Sequence, residues 1–384
     1  MIVIIGAGIA GLYLGYLLKS QQKDFIIIEK DKRYGGRIFV DKFDGKNVSL
    51  GAGLGRFKKD KTLYDLCKTL NVTVNNFPVK ISYSFPVKTP LLTYVEEMKD
   101  IVNSKKINRS LFTFLQFLSQ NYKNVDDFIN ISGYTDYIHA DTIDTLYDYG
   151  FDDNVSGWEG FSIVWDELLD NLYNIVKSHI YLDEKVIKID NNTINTDKRT
   201  LKADKIICST PVNISRKIFP SIPILSEINC QSFSRIFVKI TQGNDEFKKQ
   251  IKNFTIIKSF LRKIIPLYPE DGIYMLGYND NDDADLGFKY FTTLDEKKVY
   301  TILEEEIYKN LKVKVKIESS KIAYWDYGTT YYLPLSKKYR NREEWLSYAR
   351  NPAENIFFIG EGYSHNQGWV QGSLESVDSI INLL

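Results

Sequence analysis

The sequence predicts an α/β fold: a parallel sheet assembled from strands at both ends of the chain, with an α+β domain inserted between them. Three observations predict it. The chain opens on an apolar, β-branched run, Ile2-Val3-Ile4-Ile5, followed directly by Gly6-Ala7-Gly8-Ile9-Ala10-Gly11. A second apolar run, Phe25-Ile26-Ile27-Ile28, comes after helical periodicity over residues 9–19, which makes a strand–helix–strand unit. Near the other end, Ile356-Phe357-Phe358-Ile359 runs into Gly360-Glu361-Gly362 and then Gly368-Trp369-Val370-Gln371-Gly372, a strand, a turn and a helix.

Between these ends, residues 60–71 read as a helix with Leu63, Leu66, Cys67 and Leu70 on one face. Residues 90–150 read as mostly helical and rich in Tyr and Phe, and 162–177 as an amphipathic helix. Short strands are expected at 179–183, 185–190 and 205–209, the last returning to the first sheet and stopping at Pro211. From 212 to 325 strands and helices mix, and a helix is expected over 368–382. The run Asn279-Asp280-Asn281-Asp282-Asp283 lacks the Gly and distal Glu of a calcium loop and reads as a solvated loop.

Composition narrows the functional classes. A chain of 384 residues, 43% of them hydrophobic, can bury two interleaved domains. A net charge of +1 creates no field to recruit nucleic acid or an anionic membrane, so neither is expected as a partner. Three cysteines, at 67, 208 and 230, show no metal or redox spacing, which suits a reducing compartment. The first strand is expected to begin at Ile2, so no cleavable signal is expected, and no apolar run is long enough to span a membrane. A cytoplasmic location is expected, in a host cytoplasm or a virion if the abundance of Asn, Ile, Lys and Tyr marks an AT-rich viral gene. With scattered Cys and only 3 His, neither a metal site nor a Ser/His/Asp set is expected.

The first glycine-rich segment has the chemistry of a dinucleotide site. Gly6 permits the tight turn after the strand, Gly8 lets the backbone approach a pyrophosphate, and Gly11 lets the helix sit close to the sheet. The helix opening at Ile9 and Ala10 aims its free amides and positive end at the phosphates. Glu29 ends the second strand roughly 20 residues on, where its carboxylate can accept both ribose hydroxyls and disfavours a 2′-phosphate.

The residues after Glu29 separate one dinucleotide from another. Glu29-Lys30-Asp31-Lys32-Arg33-Tyr34-Gly35-Gly36-Arg37 resembles the signature of the flavin amine oxidase superfamily, in which the ribose acid precedes a Gly-Gly-Arg turn. Leu50-Gly51-Ala52-Gly53-Leu54 and Gly360-Glu361 with Gly368-Trp369-Val370 also resemble that family. The resemblance covers residues 2–57 and 353–384 well and about 180–240 weakly, including Val186. It implies a Rossmann-like FAD-binding domain of glutathione-reductase type, from residues 1–60, 180–211 and 350–384. The substrate domain would be 61–179 and 212–349. In this reading Lys30, Arg33, Gly36 and Arg37 serve the phosphates, with Arg37 neutralising pyrophosphate charge. Gly51, Ala52, Gly53 and Leu54 lie beside the isoalloxazine ring, and Arg56 and Phe57 come within reach of it. Gly360 and Glu361 hold the ribityl chain. The last helix points its N-terminus at the pyrimidine edge, where reduction places negative charge.

The resemblance also implies the chemistry: hydride transfer from an amine α-carbon to flavin N5, with O2 reoxidising the cofactor and giving hydrogen peroxide. Trp369 would form one aromatic wall, and Trp325, Tyr327, Tyr331 or Tyr332 the opposite one. The family's Lys near N5 aligns with Arg235, in Ser232-Phe233-Ser234-Arg235-Ile236-Phe237-Val238-Lys239. Lys239, four residues on, stands roughly 13 Å along the strand, too far to substitute. Arg cannot act as a tunable base, but it grips a carboxylate, so a carboxylate-bearing substrate comes into view. No Cys falls within 326–334, so non-covalent FAD is expected. His365 is a candidate contact to phosphate or substrate. Two further readings share the frame: a desaturase or protoporphyrinogen oxidase-like enzyme, and a non-catalytic FAD-binding scaffold. Substrate identity and oligomeric state stay open.

Overall fold

The computed structural model describes residues 1–105 and 112–384; of the helical stretch expected at 90–150, residues 106–111 lie outside it. Strand Ile2–Ile5 pairs in parallel with Phe25–Ile28 on one side and Lys205–Cys208 on the other. Ile356–Phe358 adds beyond Lys205–Cys208, and Ile180–Tyr181 beyond Phe25–Ile28. The result is a five-stranded parallel sheet drawn from both chain ends and two internal segments. Such strands are apolar on both sides and must be covered on both. One face packs Leu12 and Leu14 of helix Ile9–Ser20 against Leu168 and Leu172 of Trp165–Val176 and Leu374 and Val377 of Val370–Asp378. The other buries Val3, Ile206 and Cys208 under Val212, Trp345 and Leu346 of helices Val212–Ile218 and Arg342–Arg350. The fold is thus Rossmann-like α/β with an inserted α+β part.

A second sheet has six strands, in the order Lys316–Tyr332, Ile228–Gln242, Ile273–Asp280, Lys263–Tyr268, Phe254–Ile256, Ile81–Tyr83. All neighbours run antiparallel except the last pair. Helix Glu296–Leu311 covers one face through Val299, Leu303 and Ile307. The opposite face turns toward the first domain, where Phe237, Met275 and Ala323 meet Phe43, Val48 and Leu50. Helices Leu91–Ser104, Phe114–Asn121, Val125–Ser132 and Thr142–Tyr147 share a core of Met98, Phe114, Phe128 and Tyr137. The third of these ends on Gly133, in the left-handed conformation that glycine adopts without strain.

Four local expectations shift. The helix expected from 162 begins at Trp165, because Trp158–Ile163 pairs as a strand with Val74–Val79. The strand expected at 185–190 runs Val186–Asp190 and belongs to a three-stranded sheet with Thr193–Thr196 and Thr200–Lys202, strands too short to register as periodicity. The last helix runs Val370–Asp378 rather than 368–382; Gly368, at φ +75°, makes the turn before it. The 279–283 run is no solvated loop. Asn279 and Asp280 are buried at the end of a strand, and Asn281 starts helix Asn281–Thr293. Among the described residues no helix is long and apolar enough to cross a membrane.

Candidate active site

One cavity of about 1730 Å³ runs between the two domains. At one end stand Gly6, Gly8, Ile9, Ala10, Glu29 and Lys30. Arg33, Gly36, Arg37 and Val186 continue it, then Gly51, Ala52, Gly53 and Leu54. The C-terminal segment closes it with Gly360, Glu361, Gly368, Trp369 and Val370. Gly11 does not line it, nor do Arg56 and Phe57. A Cβ on Gly11 would lie 2.0 Å from the Gly6 carbonyl oxygen, so this glycine serves helix–sheet packing. Gly8 differs: its φ of −70° is ordinary, and a Cβ would meet nothing within 4 Å. Its glycine is not required by protein packing, which leaves room for a ligand on that side.

Two helix N-termini face this space. Gly8 caps Ile9–Ser20 and Trp369 caps Val370–Asp378, each without a side-chain bond to the first amides. Helical geometry leaves those amides free for an external acceptor. Glu29 is fixed at the strand end, its two oxygens accepting from the amides of Ala7 at 2.8 Å and Asp31 at 3.0 Å. Free amides, an oriented acid and an open glycine together fit a dinucleotide.

The basic residues are more occupied than their sequence suggests. Lys30 pairs with Asp31 at 3.1 Å. Arg33 donates to the Gly36 carbonyl at 2.9 Å and stacks 4.4 Å from the Phe39 ring centroid, which braces the turn. Arg37 is not an uncompensated counter-charge for pyrophosphate. Its Nη1 donates to buried Glu361 at 2.8 Å and to the Gly328 carbonyl at 2.7 Å. Glu361 in turn accepts from the Gly368 amide at 2.9 Å and from the Thr330 hydroxyl. One carboxylate therefore ties the Gly-Gly-Arg turn to the C-terminal segment.

Of the aromatic candidates, Trp369, Trp325 and Tyr327 line the cavity. The Arg56 guanidinium lies 4.0 Å from the Trp369 ring centroid, and Arg56 is itself held by Asp60 at 2.6 Å and Asp153 at 2.9 Å. Trp325 Nε1 donates to the Leu50 carbonyl at 2.9 Å, fixing its indole beside the 50–54 turn. Tyr331 and Tyr332 do not line the cavity: Tyr331 accepts from Asn229 Nδ2 at 3.0 Å, and Tyr332 donates to the Ser364 carbonyl at 2.6 Å. His365 is likewise outside it, between Asp148 at 3.2 Å and Glu343 at 2.9 Å. Hydrogen bonding to Asp148, then to Glu343, lifts its pKa to about 9 against the effect of burial.

Arg235 faces the cavity, 3% exposed. Nη1 donates to the Ser49 carbonyl at 2.7 Å, while Nε is buried without a partner. The Tyr278 and Phe233 rings flank it at 5.1 and 5.4 Å. Burial pulls its pKa below the ordinary value. A Cβ on Gly53 would stand 2.9 Å from its Nη2, which brings the 50–54 turn against it. Lys239 instead pairs with Asp44 at 2.6 Å and Glu318 at 3.6 Å, outside the cavity.

Sequence reasoning missed a polar cluster on the same cavity: Lys263, Tyr134, Asp136, Tyr278 and Asp280. Lys263 is 1% exposed. Its only signal was a cation in register with Leu261, Ile265 and Leu267, on the buried side of an apolar strand. Cys230 is the other surprise. It stands opposite Thr330 in the strand pair, beside the 326–334 stretch, although distant in sequence. Burial raises its thiol to about 11, and it does not line the cavity.

Comparison with known proteins agrees with this geometry. A family model for an NAD(P)-binding Rossmann-like domain matches residues 4–70. L-amino-acid oxidases from Demansia vestigiata and Trimeresurus stejnegeri are 24% and 21% identical, over 98% of this chain and 84% and 85% of theirs. The fold superimposes on wild-type putrescine oxidase bound to putrescine with a TM-score of 0.78 at 13% identity, covering 99% of this chain and 98% of that one. Cyclohexylamine oxidase from Brevibacterium oxydans gives 0.76 at 13% identity, covering 100% and 98%. The model for flavin containing amine oxidoreductases matches residues 139–376, more than half of the chain, and with the flavin-type cleft that its two ends build, the protein belongs to that family.

Proposed function

We propose that this flavin amine oxidoreductase binds FAD non-covalently and oxidises a small amine, with amines that carry a carboxylate favoured. The observation that carries this is the continuous cavity, which joins a dinucleotide cleft to a buried polar chamber. FAD, when bound, supplies hydride acceptance at N5 and passes the electrons to O2 as hydrogen peroxide. Residues 1–60, 180–211 and 350–384 would form its domain, as their shared parallel sheet supports. Glu29 would hold the adenosine ribose, the amides at Ile9 and Ala10 the pyrophosphate, and the N-terminus of Val370–Asp378 the pyrimidine edge. Cys230, buried, with its thiol raised to about 11 and off the cavity wall, is a poor point of attachment. Three unpaired cysteines suit a reducing cytoplasm.

The chain's own residues would select and orient the substrate. Trp369, stiffened by Arg56, and Trp325 with Tyr327 would hold an apolar stem beside the ring and keep water out. Arg235, a buried guanidinium with an unpartnered Nε, offers charge-assisted hydrogen bonds to a substrate carboxylate. L-amino-acid oxidases among the relatives support that preference. The charged groups of the chamber speak against a wholly apolar substrate, because an unmatched apolar surface would leave them unsatisfied. The test is the absorbance spectrum of the purified holoprotein under anaerobic conditions, before and after mono-, di- and polyamines and amino acids. Bleaching by an amine supports the reading. An oxidised flavin band that no amine bleaches refutes it, and flavin recovered on a peptide refutes the non-covalent part.

A further inference from the structure

We propose that Lys263 accepts the proton of the incoming substrate ammonium, so that the amine reaches the reacting position neutral. The role rests on the amine-oxidising function proposed above. Hydride loss from an amine carbon draws on the nitrogen lone pair, yet an alkylamine in water, with a pKa of about 10.4, is almost wholly protonated at neutral pH. Something in the chamber must take that proton. Arg235 cannot, because a guanidinium holds its proton throughout.

Lys263 arrives on a different strand, Lys263–Tyr268, two places along the sheet from the strand that carries Arg235. Its side chain is 1% exposed and lines the cavity. Nζ donates to the Tyr134 hydroxyl and lies 3.6 Å from that ring's centroid. Among the described residues no carboxylate comes within ion-pair distance of Nζ, so none locks it in the charged form. The groups around it are Tyr134 and Asp136 from the segment after helix Val125–Ser132, Tyr278 and Asp280 from Ile273–Asp280, and Arg235. The neighbouring Arg262 is occupied with Asp283 at 2.6 Å.

Burial lowers the Lys263 pKa to about 7, against the pull of Asp280 and Asp136. Lys263 is itself a primary alkylammonium inside this chamber. Desolvation that weakens the Lys263 ammonium acts in the same direction on a substrate ammonium brought beside it. A base that titrates near the working pH is poised to take such a proton. The step balances: the substrate N–H bond breaks, a new N–H bond forms on the Lys263 lone pair, and both electron counts are unchanged. Asp136, raised only to about 6 by burial, stands by as a carboxylate to offset the new charge, while burial pushes Asp280 further toward its neutral acid, with Oδ2 unpartnered.

The test is the pH dependence of anaerobic flavin reduction in the holoenzyme, with the best amine from the panel, for wild type, Lys263→Met and Lys263→Arg. Without a base, only amine already neutral in solution can react, about one part in 10³ at pH 7.4 for a pKa near 10.4. Both variants are expected to reduce up to ~1000-fold more slowly at pH 7.4, with the deficit closing toward pH 10 and FAD content unchanged. A variant with the wild-type rate and profile overturns the role. A second readout needs no turnover: in protein labelled at lysine Cε with ¹³C, one resonance absent from Lys263→Met titrates near pH 7. Titration of that resonance near 10 overturns the role even if the variants are inactive. A wild-type flavin that no amine reduces at any pH fails the parent function, and this role with it.

Discussion

Two glycines three positions apart carry opposite expectations for the same substitution. A methyl on Gly11 would sit 2.0 Å from the Gly6 carbonyl oxygen, so the backbone must shift; overpacking of that kind costs about 1–3 kcal/mol. A methyl on Gly8 touches no protein atom within 4 Å and needs no unusual φ. Its effect falls on the ligand that approaches there. FAD at about 100 times its dissociation constant stabilises the folded chain by about 2.7 kcal/mol. At about 2.1 cal/mol/K per residue, a chain of 384 residues unfolds with an entropy near 0.8 kcal/mol/K, so FAD should raise Tm by about 3 °C. If Gly8→Ala weakens FAD about 100-fold, the increment at the same FAD concentration falls below about 1 °C, by the same mass action. Gly11→Ala should lower Tm by about 1–4 °C both without FAD and with it. The assay is thermal unfolding of apoprotein and reconstituted protein for all three chains. Wild-type FAD stabilisation in Gly8→Ala, or an apoprotein loss as large as that of Gly11→Ala, would refute the assignment of Gly8 to the cofactor.

Three further outcomes are expected. Glu361→Gln removes the charge that Arg37 faces and weakens the tie to Gly368; as loss of a charged hydrogen-bonding partner it should cost about 2 kcal/mol, seen as a lower denaturant midpoint, and unchanged stability would deny that carboxylate its bridging role. Arg235→Met should raise KM for carboxylate-bearing amines by about 10–100-fold, as loss of a charged hydrogen-bonding partner predicts, while leaving FAD content and KM for simple amines nearly unchanged; equal loss for both substrate types would count against carboxylate recognition. His365, with its pKa raised from 6.5 to about 9, contributes stability that is complete below about pH 6.5 and is lost as pH rises through 9. Its side chain is 39% exposed, so screening leaves on the order of 1 kcal/mol. His365→Gln should flatten the stability profile between pH 6.5 and 9, and an identical profile would remove the histidine from it.

The sequence alone determined the parts whose chemistry is local. Ile2–Ile5 and the glycines after it specify a strand, a tight turn and a close-packed helix because each constraint acts within a few residues. Glu29, at the end of the next strand, belongs to the same unit, and the apolar runs at 205–208 and 356–358 announce strands that need cover on both faces. Charge compensation was not legible. That Arg37 meets Glu361, 324 positions away, depends on how the two ends close on one sheet. Tyr331 shares a strand with Trp325, yet it is held by Asn229 off the cavity, a difference set by strand pairing and not by residue type. Asp280 read as part of a solvated polar run, and Lys263 drew no reading, until the sheet turned both inward. Burial, which converts a common lysine into a group that titrates near neutrality, is a property of everything packed around it, and only the tertiary structure decides it.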